Sequence, residues 1–373
     1  MPMHPRSRHR EFLDYWVLAE RQPSLTPYVY TNAYGGASID YTDQNALREL
    51  TRCLLQEFYG MSYWSIPTGY LCPPVPQRAD YIHGMADLLL VPPDSAGSEE
   101  PPLVASLEPV PARGPGIRGL DVGTGASCIY CLIGVREYGW RFLGSEIDAG
   151  ALASASEIVT SNGLGDSIEL RRQADASRTL GGVLQPDETV AFCVCNPPFH
   201  ENLDYARQAA SAKWRRLGRE QVCGSEKNYQ GMPSELCCEG GEVGFVTRMA
   251  EESAEESVRN SCVWFSAMLS RESSLAPVRE KLAELGARRR GFELRHGSAR
   301  KWVVAWTFLG PRKRTARLLK MMQAGVHVQE VKRDESTQQA ASVGTGKRRR
   351  CAEDVPDDAA DGVAALESTR QKP

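Results

Sequence analysis

Val190-Ala191-Phe192-Cys193-Val194-Cys195 is an unbroken apolar run bounded by polar sequence. A run of that length predicts a strand covered on both faces, as in a parallel sheet. Comparable patterns predict strands near 117–122, 141–146, 167–171, 261–268, 289–295 and 302–309, with helices between most of them. This alternation predicts an α/β fold with a mainly parallel, doubly wound, Rossmann-like sheet. The last two strands, Gly291 to Leu294 and Trp302 to Phe308, are expected to form a hairpin at one edge. Upstream the spacing changes. Ala46, Leu47, Leu50, Leu54, Leu55 and Phe58 fall at helical intervals and predict a helix from Asp43 to Tyr59. A shorter helix is expected from Tyr81 to Leu89. Residues 1–92 thus read as an N-terminal helical extension. Residues 93–115, rich in Pro, Gly, Ser and Glu, read as a linker. The α/β domain is expected over 116–310, and the polar, charge-rich residues 311–373 as a disordered tail.

Charge narrows the picture. The 373 residues carry a formal net charge of -3, so no global basic field marks a nucleic-acid binder. Any RNA surface must be a local patch. Two are visible: the opening segment with Arg6, Arg8 and Arg10, and Lys213, Arg215, Arg216, Arg219 and Lys227 within an irregular stretch over 201–240. That stretch is a candidate substrate lid. No apolar run is long enough to span a membrane, and the start lacks the apolar stretch of a signal peptide. A soluble, cytoplasmic, monomeric protein is expected. The cluster Lys347-Arg348-Arg349-Arg350 leaves a nuclear address as the alternative. There are 11 cysteines, several of them (Cys53, Cys128, Cys193, Cys195, Cys262) inside apolar segments, which is ordinary core filling in a reducing compartment. Cys128 and Cys131 form a C-x-x-C pair, but no second pair completes a zinc site, and no metal is expected.

Three short motifs carry the chemistry. Asn196-Pro197-Pro198-Phe199 follows the apolar strand directly, at the carboxyl edge where ligands bind in open α/β sheets. The Asn amide oxygen and the Pro197 carbonyl are two acceptors held still by proline, and they suit an exocyclic NH2 group. Phe199 suits stacking on a base face. The structural alternative is a proline-stiffened turn. Gly119-Leu120-Asp121-Val122-Gly123-Thr124-Gly125-Ala126-Ser127 reads as a strand, a glycine turn and the start of a helix, with Cys128 where a dinucleotide fingerprint has its third glycine. Glu146 ends the next strand, where an acidic residue takes the ribose hydroxyls of a nucleoside. A solvated strand-end carboxylate is its alternative. In this order the three motifs are those of S-adenosyl-L-methionine-dependent methyltransferases that act on a planar nitrogen.

Longer motifs extend the likeness. They are His4-Pro5-Arg6-Ser7-Arg8-His9, Trp64-Ser65-Ile66-Pro67, Leu71-Cys72-Pro73-Pro74-Val75-Pro76, Arg78-Ala79-Asp80-Tyr81-Ile82-His83, the glycine turn through Tyr130, Asn196 to His200, and Glu239-Gly240-Gly241-Glu242-Val243. With them, over about residues 3–310, the chain resembles the RlmF-like family of N6-adenine RNA methyltransferases. The family has a bacterial branch acting on 23S ribosomal RNA and a eukaryotic branch acting on small nuclear RNA. The wording around Leu71 and Arg78 is closer to the ribosomal branch. The resemblance implies a class I methyltransferase fold. It implies that Asp121, Gly123, Thr124, Gly125 and Ser127 line the S-adenosyl-L-methionine site, that Glu146 holds its ribose, and that Arg78 reaches the cofactor carboxylate or the RNA. Asn196 and Pro197 would hold the target amine beside the cofactor, with Pro198 stiffening the turn and Phe199 stacked on an unpaired or bulged adenine. Arg6, Arg8, Arg10, Lys213, Arg215, Arg216 and Lys301 are the RNA-contact candidates, although the arginines around Lys301 differ from those of the eukaryotic branch. The competing readings are an enzyme for small nuclear or messenger RNA hairpins, and an RNA-binding protein with a vestigial methyltransferase site.

Overall fold

Aspartate side chains cap the first two α-helices. Asp14 opens α1 (Tyr15–Arg21) by accepting the Trp16 N–H. A small hairpin follows, β1 (Val29–Thr31) with β2 (Ala37–Ile39). Asp43 then opens α2 (Gln44–Tyr59), and Gly60 closes it in the left-handed region with φ of 60°. The next helix, α3 (Val75–Ala86), starts earlier than the sequence predicts. Pro74 occupies the position before it and Pro76 sits in its first turn, where a missing N–H costs nothing, so the helix begins within the proline-rich stretch. Two-residue strands, β3 (Leu90–Val91) and β4 (Val110–Pro111), pair antiparallel across residues 93–107. Part of the expected linker is therefore a strand. This is a computed structural model, and it describes residues 3–11, 13–92, 108–202, 231–297 and 299–325.

Seven strands form the main sheet: β5 (Arg118–Val122), β6 (Arg141–Glu146), β7 (Ile168–Arg172), β8 (Val190–Cys195), β9 (Cys262–Leu269), β10 (Arg288–His296) and β11 (Ala299–Thr307), in the spatial order β10-β11-β9-β8-β5-β6-β7. β5 to β9 run parallel, and β11 and β10 add an antiparallel edge. All six residues of β8 and all eight of β9 are buried, which is why they read as apolar runs. The helices between strands include α4 (Ile129–Tyr138), α5 (Ala149–Ser161), α6 (Gly241–Ala254) and α7 (Leu275–Glu284). Strand order reverses between β5 and β8, which opens a crevice at their carboxyl ends. The glycine turn and the Asn-Pro-Pro-Phe turn leave those two neighbouring strands and meet there.

The N-terminal extension is part of the same core. Leu18, Leu55 and Ile82 belong to one buried cluster with Phe192 and Trp264 of the sheet. The Tyr81 hydroxyl lies 2.8 Å from Ser266 Oγ. A Cβ on Gly84 would come within 2.3 Å of the Phe292 ring, so α3 and β10 touch backbone to side chain.

The expected disordered tail starts too early. Residues 311–325 form a helix, α8, and Leu318 and Met322 are buried in the main core. A Cβ on Gly116 would meet the Met321 carbonyl at 2.1 Å, so α8 lies against the entry to β5. Residues 326–373, with the basic cluster at 347–350, fall outside the described residues. Leu318→Ala is expected to cost about 2–5 kcal/mol, the usual range for emptying a buried leucine site. Urea denaturation checks this, and an unchanged midpoint would place α8 outside the cooperative fold.

Candidate active site

The glycine turn is held from below. Gly123 and Thr124 both donate their backbone N–H to the Ser145 carbonyl at 2.9 Å. Gly123 and Gly125 have φ of 70° and 65°, values that favour glycine. Cys128, in the place of the third glycine, shares that region with φ of 52° and caps α4. A side chain there costs about 1–2 kcal/mol of local backbone energy. Cys128 and Cys131 are both buried free thiols, and no metal-binding cluster occurs among the described residues.

Asp121 works behind this wall and not on it. It is fully buried and accepts the Thr124 hydroxyl at 2.9 Å, while its Oδ1 has no partner. The sequence places it in contact with the cofactor; the structure places it beneath the turn. Burial pushes its pKa up to about 7. The folded chain then keeps this proton up to about that pH, whereas an unfolded aspartate releases it near 4. Between those values the folded state holds more protons, so this group makes stability fall as pH rises. Asp121→Asn is expected to flatten that slope between pH 4 and 7. Chemical denaturation across pH measures it, and an unaltered slope would show that Asp121 ionises normally.

Glu146 ends β6 and is also nearly buried. Its Oε1 accepts the Ile147 and Asp148 N–H groups at 2.8 and 3.0 Å, and its Oε2 accepts the Gly125 N–H at 2.8 Å. A carboxylate has about four acceptor positions, so Oε2 keeps capacity toward the cavity.

Asn196 follows β8. Its Oδ1 is buried and has no hydrogen-bond partner among the described residues. Such an acceptor costs free energy unless a ligand supplies the donor. Pro198 and Phe199 continue the same wall, with Pro197 buried behind them. The Lys301 ammonium, from β11, stands 4.9 Å from the centre of the Phe199 ring.

These groups enclose one cavity of about 340 Å³. Arg78, Gly123, Thr124, Gly125, Ser127, Glu146, Asn196, Pro198, Phe199 and Lys301 all line it. Arg78 is buried, 3.2 Å from Met268 Sδ, with its guanidinium 5.6 Å from the centre of the Tyr130 ring. Ser127 is also fixed from the extension, where Trp64 Nε1 donates to its carbonyl at 3.1 Å. The other arginines behave differently. Arg6 binds Asp87, the His83 carbonyl and the Tyr138 hydroxyl, and Arg8 binds Glu137 and the Phe58 carbonyl. Arg10 donates to the Pro5 carbonyl. The opening segment is therefore pinned to α3 and α4 by its own arginines. Lys213, Arg215, Arg216, Arg219 and Lys227 lie outside the described residues.

Glu235 and Tyr130 also line the cavity, and neither is among the expected site residues. Glu235 accepts the Leu71 and Met232 N–H groups at 3.1 and 2.9 Å, and burial raises its pKa. Tyr130 has a buried hydroxyl without a partner. Tyr130 stands within a quoted motif, but nothing in the sequence aims its hydroxyl. Glu235 comes from a stretch with no recognisable motif, and tertiary contact alone brings it in.

A parallel sheet with a glycine turn, an acidic strand end and an Asn-Pro-Pro-Phe turn at its switch point defines a Rossmann-like methyltransferase. The chain belongs to a family described as RNA methyltransferase, whose model matches residues 1–310. It is similar to ribosomal RNA large subunit methyltransferase F of Stutzerimonas stutzeri, with 44% identity over 317 residues, covering 84% of this chain and 92% of that one. The corresponding protein of Pseudomonas savastanoi pv. phaseolicola is 42% identical over 316 residues, with the same shares covered. Among solved structures it is similar to the METTL16 catalytic domain in complex with MAT2A 3′UTR hairpin 1, with a TM-score of 0.68 and 32% identity over 83% of this chain and 97% of that one. The N-terminal domain of human METTL16 in complex with SAH gives a TM-score of 0.62 and 30% identity, over 83% and 99% of the two chains.

Proposed function

We propose that this chain transfers a methyl group from S-adenosyl-L-methionine to N6 of an adenine in large-subunit ribosomal RNA. The observation that carries the reading is the unpartnered, buried Oδ1 of Asn196 beside Phe199, one strand away from the glycine turn. The residues present suit the cofactor. Glu146 keeps an acceptor for a ribose hydroxyl, Arg78 offers a guanidinium to a carboxylate, and the cavity falls in the size range of small-molecule sites, about 300–1,000 Å³. When bound, S-adenosyl-L-methionine supplies an electrophilic methyl group on a positively charged sulfur.

The rest falls to the chain. The adenine amine is a poor nucleophile because its lone pair is delocalised into the ring. Asn196 Oδ1 accepts one N–H of that amine, and the Pro197 carbonyl is proposed to accept the other. Both favour a pyramidal nitrogen and stabilise its growing positive charge. Phe199 covers the base face. The adenine must be unpaired or turned out of its stack to reach this pocket. Relatives from bacteria that are named for ribosomal RNA support a cytoplasmic location.

The ribosomal substrate is favoured by relatives of 42–44% identity that bear that name along nearly their whole length. A hairpin of another RNA is the second reading, favoured by the similar fold solved with one. Incubating the full chain with in vitro-transcribed 23S rRNA and, separately, with a hairpin RNA, followed by nucleoside mass spectrometry, decides between them. N6-methyladenosine in the ribosomal transcript alone is expected. Methylation of the hairpin alone, or of neither RNA, would overturn the ribosomal reading.

A further inference from the structure

A second charged surface lies at the far end of the sheet from the cavity. β10 begins with Arg288-Arg289-Arg290, all exposed. Leu294 of β10 pairs with Lys301, which lines the cavity, and Arg288 lies six residues back along the strand. At about 3.3 Å per residue that is roughly 20 Å away.

Other arginines converge there. Arg288 pairs with Thr307, and the next residue, Phe308, carries the Arg259 guanidinium 4.4 Å from its ring centre. The Arg314 guanidinium of α8 stands 4.8 Å from the centre of the Trp264 ring. Arg317 of the same helix donates to the Asn260 carbonyl, beside Arg259. Burial, and then the charges of Arg290 and Arg288, hold Arg314 below its usual pKa, so these three are neighbours in space.

Among the described residues, no carboxylate answers them. The nearby ion pairs join Lys281 to Glu251 and Glu284. Among the described residues, Arg259, Arg288, Arg290, Arg314 and Arg317 have no carboxylate within ion-pair distance. Crowding like charges without a countercharge opposes folding, so such a cluster is a cost in the free protein. Aromatic faces and carbonyls fix Arg259, Arg314 and Arg317 in place. Each guanidinium has five N–H donors, and the fixing contacts leave most of them open. Planar, pre-set forks with open donors match phosphate oxygens.

We propose that this arginine cluster is a second RNA-docking surface, gripping the phosphate backbone of a structured segment that flanks the target adenine. It rests on the reading that RNA is the substrate. A single flipped adenine offers little to hold, and a backbone clamp some 20 Å away along the sheet would fix the register of the surrounding stem.

The test is the double variant Arg288→Glu/Arg290→Glu in the full chain, with Arg288→Gln/Arg290→Gln as a milder pair should the first fail to fold. Filter binding to in vitro-transcribed 23S rRNA is measured across salt concentrations. RNA affinity is expected to fall about tenfold at low salt, with a salt dependence shallower by about one to two phosphate contacts. Affinity for S-adenosyl-L-methionine, measured by calorimetry, is expected to stay at the wild-type value. Wild-type RNA affinity and salt slope in a folded variant would overturn the docking surface. Failure of the wild-type chain to methylate the transcript would instead strike the reading of its substrate. Binding is measured without turnover, so the comparison of affinities still decides the surface.

Discussion

Asn196→Ala is expected to lower single-turnover methylation by about 10²–10³ while leaving cofactor affinity near that of the wild-type chain. The separation follows from geometry. Among the described residues Asn196 Oδ1 makes no hydrogen bond, so removing it leaves no donor there unpaired. The turn keeps its shape through Pro197 and Pro198, and Glu146 and the glycine turn stand on other strands. What disappears is the acceptor proposed to face the reacting amine, whose value would grow as that nitrogen gains charge. Asn196→Asp keeps an acceptor of similar shape and is expected to retain more activity than the alanine variant. Rapid-quench measurement at saturating RNA, with calorimetry for the cofactor, reads both quantities. Turnover of the alanine variant at the wild-type rate would remove Asn196 from the chemistry.

Much of this architecture was legible because local signals and burial agree. β8 and β9 are wholly buried, so hydrophobicity alone marks them, and their observed ends lie within about two residues of those expected. The Asn-Pro-Pro-Phe and glycine turns were legible because each is contiguous in sequence. α3 begins at Val75, ahead of the expected Tyr81, because the first turn of a helix accepts a proline. α8 was missed because Arg312, Lys313, Arg314, Arg317 and Lys320 hide a short stripe around Leu318 and Met322. The opening arginines show the opposite limit. A cation in a sequence carries no direction, and Arg6 and Arg8 pair with Asp87 and Glu137 of the same chain. Glu235 and Tyr130 reach the cavity through folding alone.

Glu146 gives the second large effect, and it requires two measurements. The carboxylate accepts three backbone N–H groups, from Gly125, Ile147 and Asp148, and is proposed to hold the cofactor ribose with what remains. Glu146→Gln keeps the size but replaces one acceptor oxygen with an amide donor, which meets either a backbone N–H or the ribose hydroxyl. A hydrogen bond to a charged group contributes about 1.5–3 kcal/mol, so cofactor affinity is expected to fall roughly ten- to a hundredfold. Because the glycine turn loses an anchor as well, melting temperature is expected to fall. The two effects separate through their partners. Loss of the turn alone lowers stability with and without cofactor by the same amount. Loss of a ribose contact also shrinks the stabilisation that saturating cofactor confers, since that gain depends on affinity. Melting curves with and without S-adenosyl-L-methionine, together with calorimetry, distinguish the cases. A Gln variant with lowered stability but wild-type cofactor affinity would show that Glu146 serves only the turn, and the ribose would have to be held elsewhere on the cavity wall.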